Sequence, residues 1–374
     1  MIPRDCRTLS RQLLYIAVAV SLSLLVAGCG LRSALNSDVV PQQQTITDMA
    51  GRTVTVPSNI TKIYATSPVG TIFVYTLAPE KLGSWNYYMA TRDSKYILPE
   101  CRDLPVIGGW LGTNNFGNVE DILKLKPDII LLSVLPGRND TELAEKIQQQ
   151  TAIPVVVVDV TTDKMDKAYE FTGKLLKQEE RAAILAGYCR ETVADIEQKR
   201  SRISANKKVY YAEGIKGLET EPKGSWHTEA IEMVGGENVA GADIMPGGQI
   251  GRSQVSFEQV LAWAPDVIVV GYFPEGESSS YENILNEDKW QNLKAVREHH
   301  VYEVPNSPFN WIDRPPSVNR LIGIKWLSNL FYPEVYNYDM PAEIKRFYDI
   351  FYHYKLSDQE VNELLERSGG AGHK

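Results

Sequence analysis

Cysteine is scarce: the chain of 374 residues has four, at positions 6, 29, 101 and 189. A fold stapled by several disulfides is excluded, and whether Cys101 pairs with Cys189 stays open. Histidine is nearly as rare, with five residues of which one falls in a candidate cleft loop, which argues against three or four His, Asp and Glu converging on a bare zinc or manganese ion. Basic residues are outnumbered, 39 Lys and Arg against 47 Asp and Glu, and the net charge of −8 speaks against a nucleic-acid partner. Four catalytic signatures are also missing: a Gly-x-Ser-x-Gly elbow, a His-Glu-x-x-His helix, a P-loop, and a Gly-x-Gly-x-x-Gly turn after a strand. No apolar run reaches the roughly 20 residues needed to span a bilayer.

The first residues do carry a pattern. Arg4, Arg7 and Arg11 precede a largely apolar stretch from Leu13 to Val26 and then small residues, the form of a secretory signal peptide. Leu25-Val26-Ala27-Gly28-Cys29 resembles the lipobox of bacterial lipoproteins, which makes Cys29 the lipidation site and new N-terminus and anchors the protein through two or three acyl chains. Loss of residues 1–28 removes three Arg and one Asp and takes the charge from −8 to −10. Residues 29–44 are polar and read as a tether. The protein is therefore expected outside the cytoplasm, anchored to the outer face of the cell membrane or in the periplasm.

Short apolar runs alternate with helical patterns in the remainder. Lys62 to Ala65, Asp128 to Leu132 and Val155 to Val158 are strand-like, which implies βαβ units and a largely parallel sheet over 45–161. From 162 to 205 the chain is rich in Lys, Glu, Ala and Leu and lacks proline, which predicts a helical spine. Strands return at Lys208 to Tyr211, Val267 to Val270 and Val301 to Val304, giving a second lobe over 206–365 and a flexible tail over 366–374. The fold class is α/β: two Rossmann-like lobes joined by a long helical spine, with a ligand cleft between them.

A repeat ties the lobes together. The loop Gly108 to Gly112 precedes Asn118-Val119-Glu120-Asp121 and then Pro127-Asp128, whose Asp lies eight residues after Glu120. Gly247 to Gly251 precedes Ser256-Phe257-Glu258-Gln259 and, at the same spacing, Pro265-Asp266. Asn118 and Ser256 are N-cap residues, and Gln259 completes a capping box that Asp121 matches less well. Each helix must end before its proline. Glu120 and Glu258 are not needed for capping, although each favours its helix dipole, and helix N-termini in such folds lie near the ligand edge of the sheet.

With Asp48 to Pro57, Trp290 to Val296, and Pro315-Pro316-Ser317 through Gly323 to Leu327, these units resemble the periplasmic-binding-protein family of iron-siderophore, haem and cobalamin importers, over about 45–335. The resemblance implies a stiff helix between lobes and no catalysis. It also implies a monomer that delivers ligand to an ABC permease dimer with its ATPase subunits, and it maps permease docking onto Glu120 and Glu258.

Loops at strand ends should line the cleft. Candidate ligand-binding residues are Pro68, Tyr87, Tyr88, Trp110, Trp226, His227, Arg252, Tyr272, Phe273, Trp311 and Arg314. Aromatic faces suit a flat, polarisable chelate, and guanidinium pairs with carboxylate or catecholate. His227 is the one histidine in such a loop, either structural or able to take an open position on a chelated metal. The expected ligand is a metal chelate, a ferric siderophore first, with haem, cobalamin and a nickel or cobalt chelate as alternatives; no intrinsic cofactor is implied. An extracytoplasmic enzyme is the alternative of a different class.

Overall fold

A computed structural model describes residues 42–111, 117–134, 140–241, 252–271 and 279–369. The leader, Cys29, the loop before Arg252, Tyr272 and Phe273 lie outside the described residues.

Runs that are apolar on both faces become strands covered on both sides by helices. In the N-terminal lobe, Ile63–Ala65, Ile129–Ser133 and Val155–Val158 form a parallel sheet in that order. In the C-terminal lobe the order is Val301–Glu303, Val267–Val270, Lys208–Ala212 and Glu237–Asn238, again parallel throughout. The molecule is thus a two-lobe α/β protein with a parallel sheet in each lobe. A pair of strands, Gln43–Thr47 and Thr53–Pro57, precedes the first sheet and begins inside the stretch expected as tether.

The spine is a helical hairpin of Met165–Leu176 and Glu179–Arg200. Lys177 turns the chain in the left-handed region at φ 58°. A Cβ on Gly173 would lie 2.3 Å from Cβ of Ala182, so the close approach of the two helices requires glycine there. At 22 residues the second helix is about 33 Å long.

Helix Met340–Tyr352 lies in sequence with the second lobe but packs on the spine and on helix Pro68–Leu77 of the first. Tyr188 stacks edge-on to Phe351, Tyr75 meets Tyr352, and Arg346 pairs with Glu191 at 2.8 Å. One apolar cluster therefore runs through both lobes and the spine. The expected tail at 366–374 is corrected in its first part. Arg367 O accepts from Glu303 N at 2.9 Å, Ser368 O accepts from the indole N–H of Trp326 at 2.9 Å, and Ser368 is 2% exposed.

Candidate functional site

The repeated Pro-Asp is a splice between neighbouring strands. Asp128 Oδ2 accepts from Thr61 N at 2.6 Å, Thr61 Oγ1 at 2.8 Å and Lys62 N at 2.9 Å, while Asp128 N donates to Lys62 O. Asp266 Oδ2 accepts from Lys208 N at 2.9 Å, and its N–H donates to Lys208 O. Both preceding helices end in the left-handed region without glycine, at Lys126 (φ 52°) and Ala264 (φ 46°). Ser256 and Gln259 make the full capping box, whereas Asn118 Oδ1 accepts only from Glu120 N. Glu120 and Glu258 stand exposed in the first turns, and neither forms an ion pair with another described residue.

The carboxyl ends of the second sheet carry a buried charge cluster. Glu213 directly follows strand Lys208–Ala212, and its Oε1 accepts from Nε of Arg252 at 3.0 Å and Nε of Arg314 at 2.8 Å. Arg314 also donates to Glu221 and lies 3.4 Å from Asp313 Oδ2, and Arg252 is 3.7 Å from Glu219. Arg314 takes this position with φ 52°, a conformation costing about 1–3 kcal/mol for a residue with a Cβ. Asp313 accepts from Nδ1 of His227, and Arg320 holds Glu229, Trp226 O and Ile312 O.

Burial works to raise the Asp313 carboxyl, but the His227 hydrogen bond and the charges of His227, Arg314 and Arg320 hold it below the usual range. Burial pushes Glu213 above that range against the pull of Arg314 and Arg252, with Asp313 adding to the rise. Four buried polar atoms of this group have no hydrogen-bond partner among the described residues: Glu213 Oε2, Asp313 Oδ2, His227 Nε2 and Trp226 Nε1. Such atoms cost about 1–3 kcal/mol each when left unsatisfied, and four of them gather at this one place.

The facing lobe offers neutral groups and rings. Ser67 bonds Ser133 at 2.5 Å, Asn86 Nδ2 donates to Ala65 O and Gly108 O, and Tyr64 donates to Gly108 O at 2.8 Å. Trp110 meets Tyr64 edge-on at 6.0 Å, and its backbone N–H donates to Thr66 O. Trp226 crosses from the second lobe to pack on the same apolar cluster of the first lobe as Trp110. Tyr87 is edge-on to Phe309 of the second lobe at 6.3 Å, and Tyr88 is 84% exposed. Both tyrosines line a cavity of about 380 Å³ with Trp85, Met89, Arg102 and Val106.

The candidate residues thus fall into two groups, Arg252, Arg314, His227 and Trp226 at the charged cluster, and Tyr87 and Tyr88 at the cavity, while Trp110 packs, like Trp226, on the apolar cluster of the first lobe. Two assignments are corrected. Trp311 is 0% exposed, in the core cluster that runs through both lobes, because Asn310 Oδ1 accepts from Ile312 N and Asp313 N and folds the segment inward. Pro68 is buried as the first residue of its helix, where a missing N–H costs nothing. Among the described residues no three His, Cys, Asp or Glu are grouped to hold a metal ion, so His227 would be at most one ligand to a metal brought by a chelator. Cys101 and Cys189 are free and buried, and burial pushes the Cys101 thiol up to about 11.

Sequence reasoning missed Glu213, Glu221 and Arg320 as members of the cluster. An acid placed directly after a buried strand, as Glu213 is after Val209 to Ala212, was the available signal.

Residues 110–308, over half of the chain, match the periplasmic binding protein family. The molybdate-binding protein MolA of Haemophilus influenzae is 27% identical over 361 residues, covering 88% of this chain and 96% of that protein. The vitamin B12-binding protein of Vibrio campbellii is 26% identical over 221 residues, 58% of this chain and 72% of that one. Among solved structures, an ABC transporter solute-binding protein from Sulfurospirillum deleyianum superposes with a TM-score of 0.79 at 32% identity, covering 86% of this chain and 99% of that one. Molybdate-bound MolA shares the fold, with a TM-score of 0.65 at 22% identity over 84% and 99% of the chains. With its two lobes, parallel sheets and polar group at the strand ends, the chain belongs to the periplasmic binding protein family and is the exported substrate-binding protein of an ABC importer, not an enzyme.

Proposed function

We propose that the importer's cargo is an anionic metal chelate of the ferric siderophore class, captured between the aromatic groups of the first lobe and the arginines of the second. The observation that carries this reading is the presence of aromatic rings around a first-lobe cavity and of two arginines at the ends of the second sheet. Tyr87, Tyr88 and Trp110 of the first lobe, joined by Trp226 of the second, supply ring faces for a planar, polarisable ligand. Arg252 and Arg314 supply cations, while Glu213, Glu221 and Asp313 already neutralise much of that charge. A bare oxyanion needs a ring of unsatisfied donors, whereas a bulky chelate with delocalised charge needs a few fixed cations and apolar area.

A second reading, molybdate, is favoured by the 27% identity over 96% of the molybdate-binding MolA. Calorimetry with a ferric tris-catecholate, molybdate, cobalamin and nickel-histidine separates the readings. One-to-one binding of the ferric complex at about micromolar Kd or tighter, with no heat from molybdate, supports the first. Molybdate binding alone transfers the protein to the second.

Two further assignments belong to this reading. The Val26-Ala27-Gly28-Cys29 segment supports lipidation at Cys29, and Cys29→Ala should then move the protein from the membrane to the soluble fraction. The exposed Glu120 and Glu258, which pair with no other described residue, support docking to basic sockets of the permease dimer.

A further inference from the structure

Three segments far apart in sequence meet on one buried oxygen. Glu213 follows the central strand Lys208–Ala212, Arg252 directly precedes strand Ser253–Gln254, and Arg314 follows the edge strand Val301–Glu303. The Nε groups of both arginines point at Glu213 Oε1, at 3.0 and 2.8 Å. Two guanidiniums sharing one acceptor are forced into proximity despite mutual repulsion, which solvent-exposed arginines would avoid. The carboxylate is 3% exposed and the arginines are 21% and 31% exposed, so the cations lie on the solvent side of the acid. Glu213 Oε2, meanwhile, has no hydrogen-bond partner among the described residues.

We propose that Glu213 is the positioning residue of a two-arginine clamp that receives an oxyanion group of the ligand, a catecholate, carboxylate or metal oxyanion. The inference rests on the anionic-ligand reading above. Glu213 has two opposing effects. Its Oε1 aligns Arg252 and Arg314 before ligand arrives, which lowers the ordering cost of binding. Its charge repels the incoming anion, and protonation of the unpartnered Oε2 relieves that repulsion while Oε1 still accepts. Burial raises the affinity of the carboxyl for protons, so falling pH favours the protonated form. The other charged groups facing Glu213 are Asp313 and Glu221 on Arg314, Glu219 on Arg252, and, through Asp313, His227; Tyr211 packs alongside on the strand.

The test measures affinity for a ferric tris-catecholate and for molybdate by calorimetry, in wild type, Glu213→Gln and Glu213→Ala, from about pH 8 to about pH 6. Gln keeps the acceptor and removes the charge. Wild type should bind its anion tighter as pH falls, Glu213→Gln should bind at least as tightly with a flat pH profile, and Glu213→Ala should lose about tenfold. The histidine His227 is present in all three proteins, so a slope that survives in Glu213→Gln belongs to another group and overturns the charge role. Wild-type affinity in a folded Glu213→Ala overturns the positioning role while leaving the function intact. Should Glu213→Ala not fold, the Gln profile alone decides, a loss of about tenfold in Gln counting against the clamp. Failure of wild type to bind either anion contradicts the anionic-ligand reading itself and the clamp with it.

Discussion

The two lobes use one scaffold for opposite chemistry. Each has the same capped helix, left-handed stop and Pro-Asp splice into a parallel sheet. The ends of the first sheet at Ala65 and Ser133 are followed or formed by Thr66, Ser67 and Ser133, all buried and neutral. The end of the second at Ala212 is followed by Glu213 and a network of acids, arginines and a histidine. The shared unit builds alike strand ends in both lobes, and the residues just past those strands differ in charge. Rings on one side and fixed charge on the other fit a ligand with an apolar body and an anionic centre.

The comparison can be broken in four ways. The largest effect is expected where the lobes act alike. Reversing both exposed acids, Glu120→Lys with Glu258→Lys, should abolish import in cells while leaving ligand affinity within about threefold, because like charges at a complementary interface cost several kcal/mol. Growth on the chelate as sole metal source, beside calorimetry, checks this, and normal growth with a folded variant would refute docking. Next, Arg314→Ala should weaken binding of the ferric chelate about a hundredfold, since it removes a cation and strands Glu213, Glu221 and Asp313. Tyr88→Ala on the first lobe should cost only about tenfold or less in the same titration. A larger loss at Tyr88 than at Arg314 would reverse the division between lobes.

The smallest effects concern the splices. Asp128 accepts three hydrogen bonds and Asp266 one, so Asp128→Ala should cost about 2–3 kcal/mol and Asp266→Ala about 1 kcal/mol by urea unfolding. The Asp128 carboxyl, although partial burial opposes it, is held below its usual range by Thr61 and Lys62. A depressed folded-state value means that its stabilisation is complete above the unfolded carboxylate range and fades as pH falls through the folded one. The difference between Asp128→Ala and wild type should shrink below about pH 4 and vanish at lower pH.

Much of the scaffold was legible because its causes are local. The repeat at Glu120 and Glu258, the prolines that stop each helix, and the Ser256–Gln259 capping box can be read from residues a few positions apart. The charged cluster was legible only in part, since Arg252 and Arg314 lie 39 and 101 residues from the acid that joins them. Trp311 shows the opposite failure. Its segment reads as a loop, yet Asn310 replaces a turn of backbone hydrogen bonds and Arg320 caps Ile312, so the indole turns into the core. Helix Met340–Tyr352, continuous in sequence with the second lobe, packs on the first for a reason no local pattern carries, the meeting of Tyr352 with Tyr75.

The central claim is that one anionic, metal-bearing ligand is held between these lobes. Native mass spectrometry of the protein purified from its own host, with element analysis of the same sample, tests it most directly. The account predicts a single adduct, one per protein, that contains a metal and is lost together with that metal in Arg314→Ala. A metal-free adduct, or a metal that stays bound at full occupancy in Arg314→Ala, would contradict it.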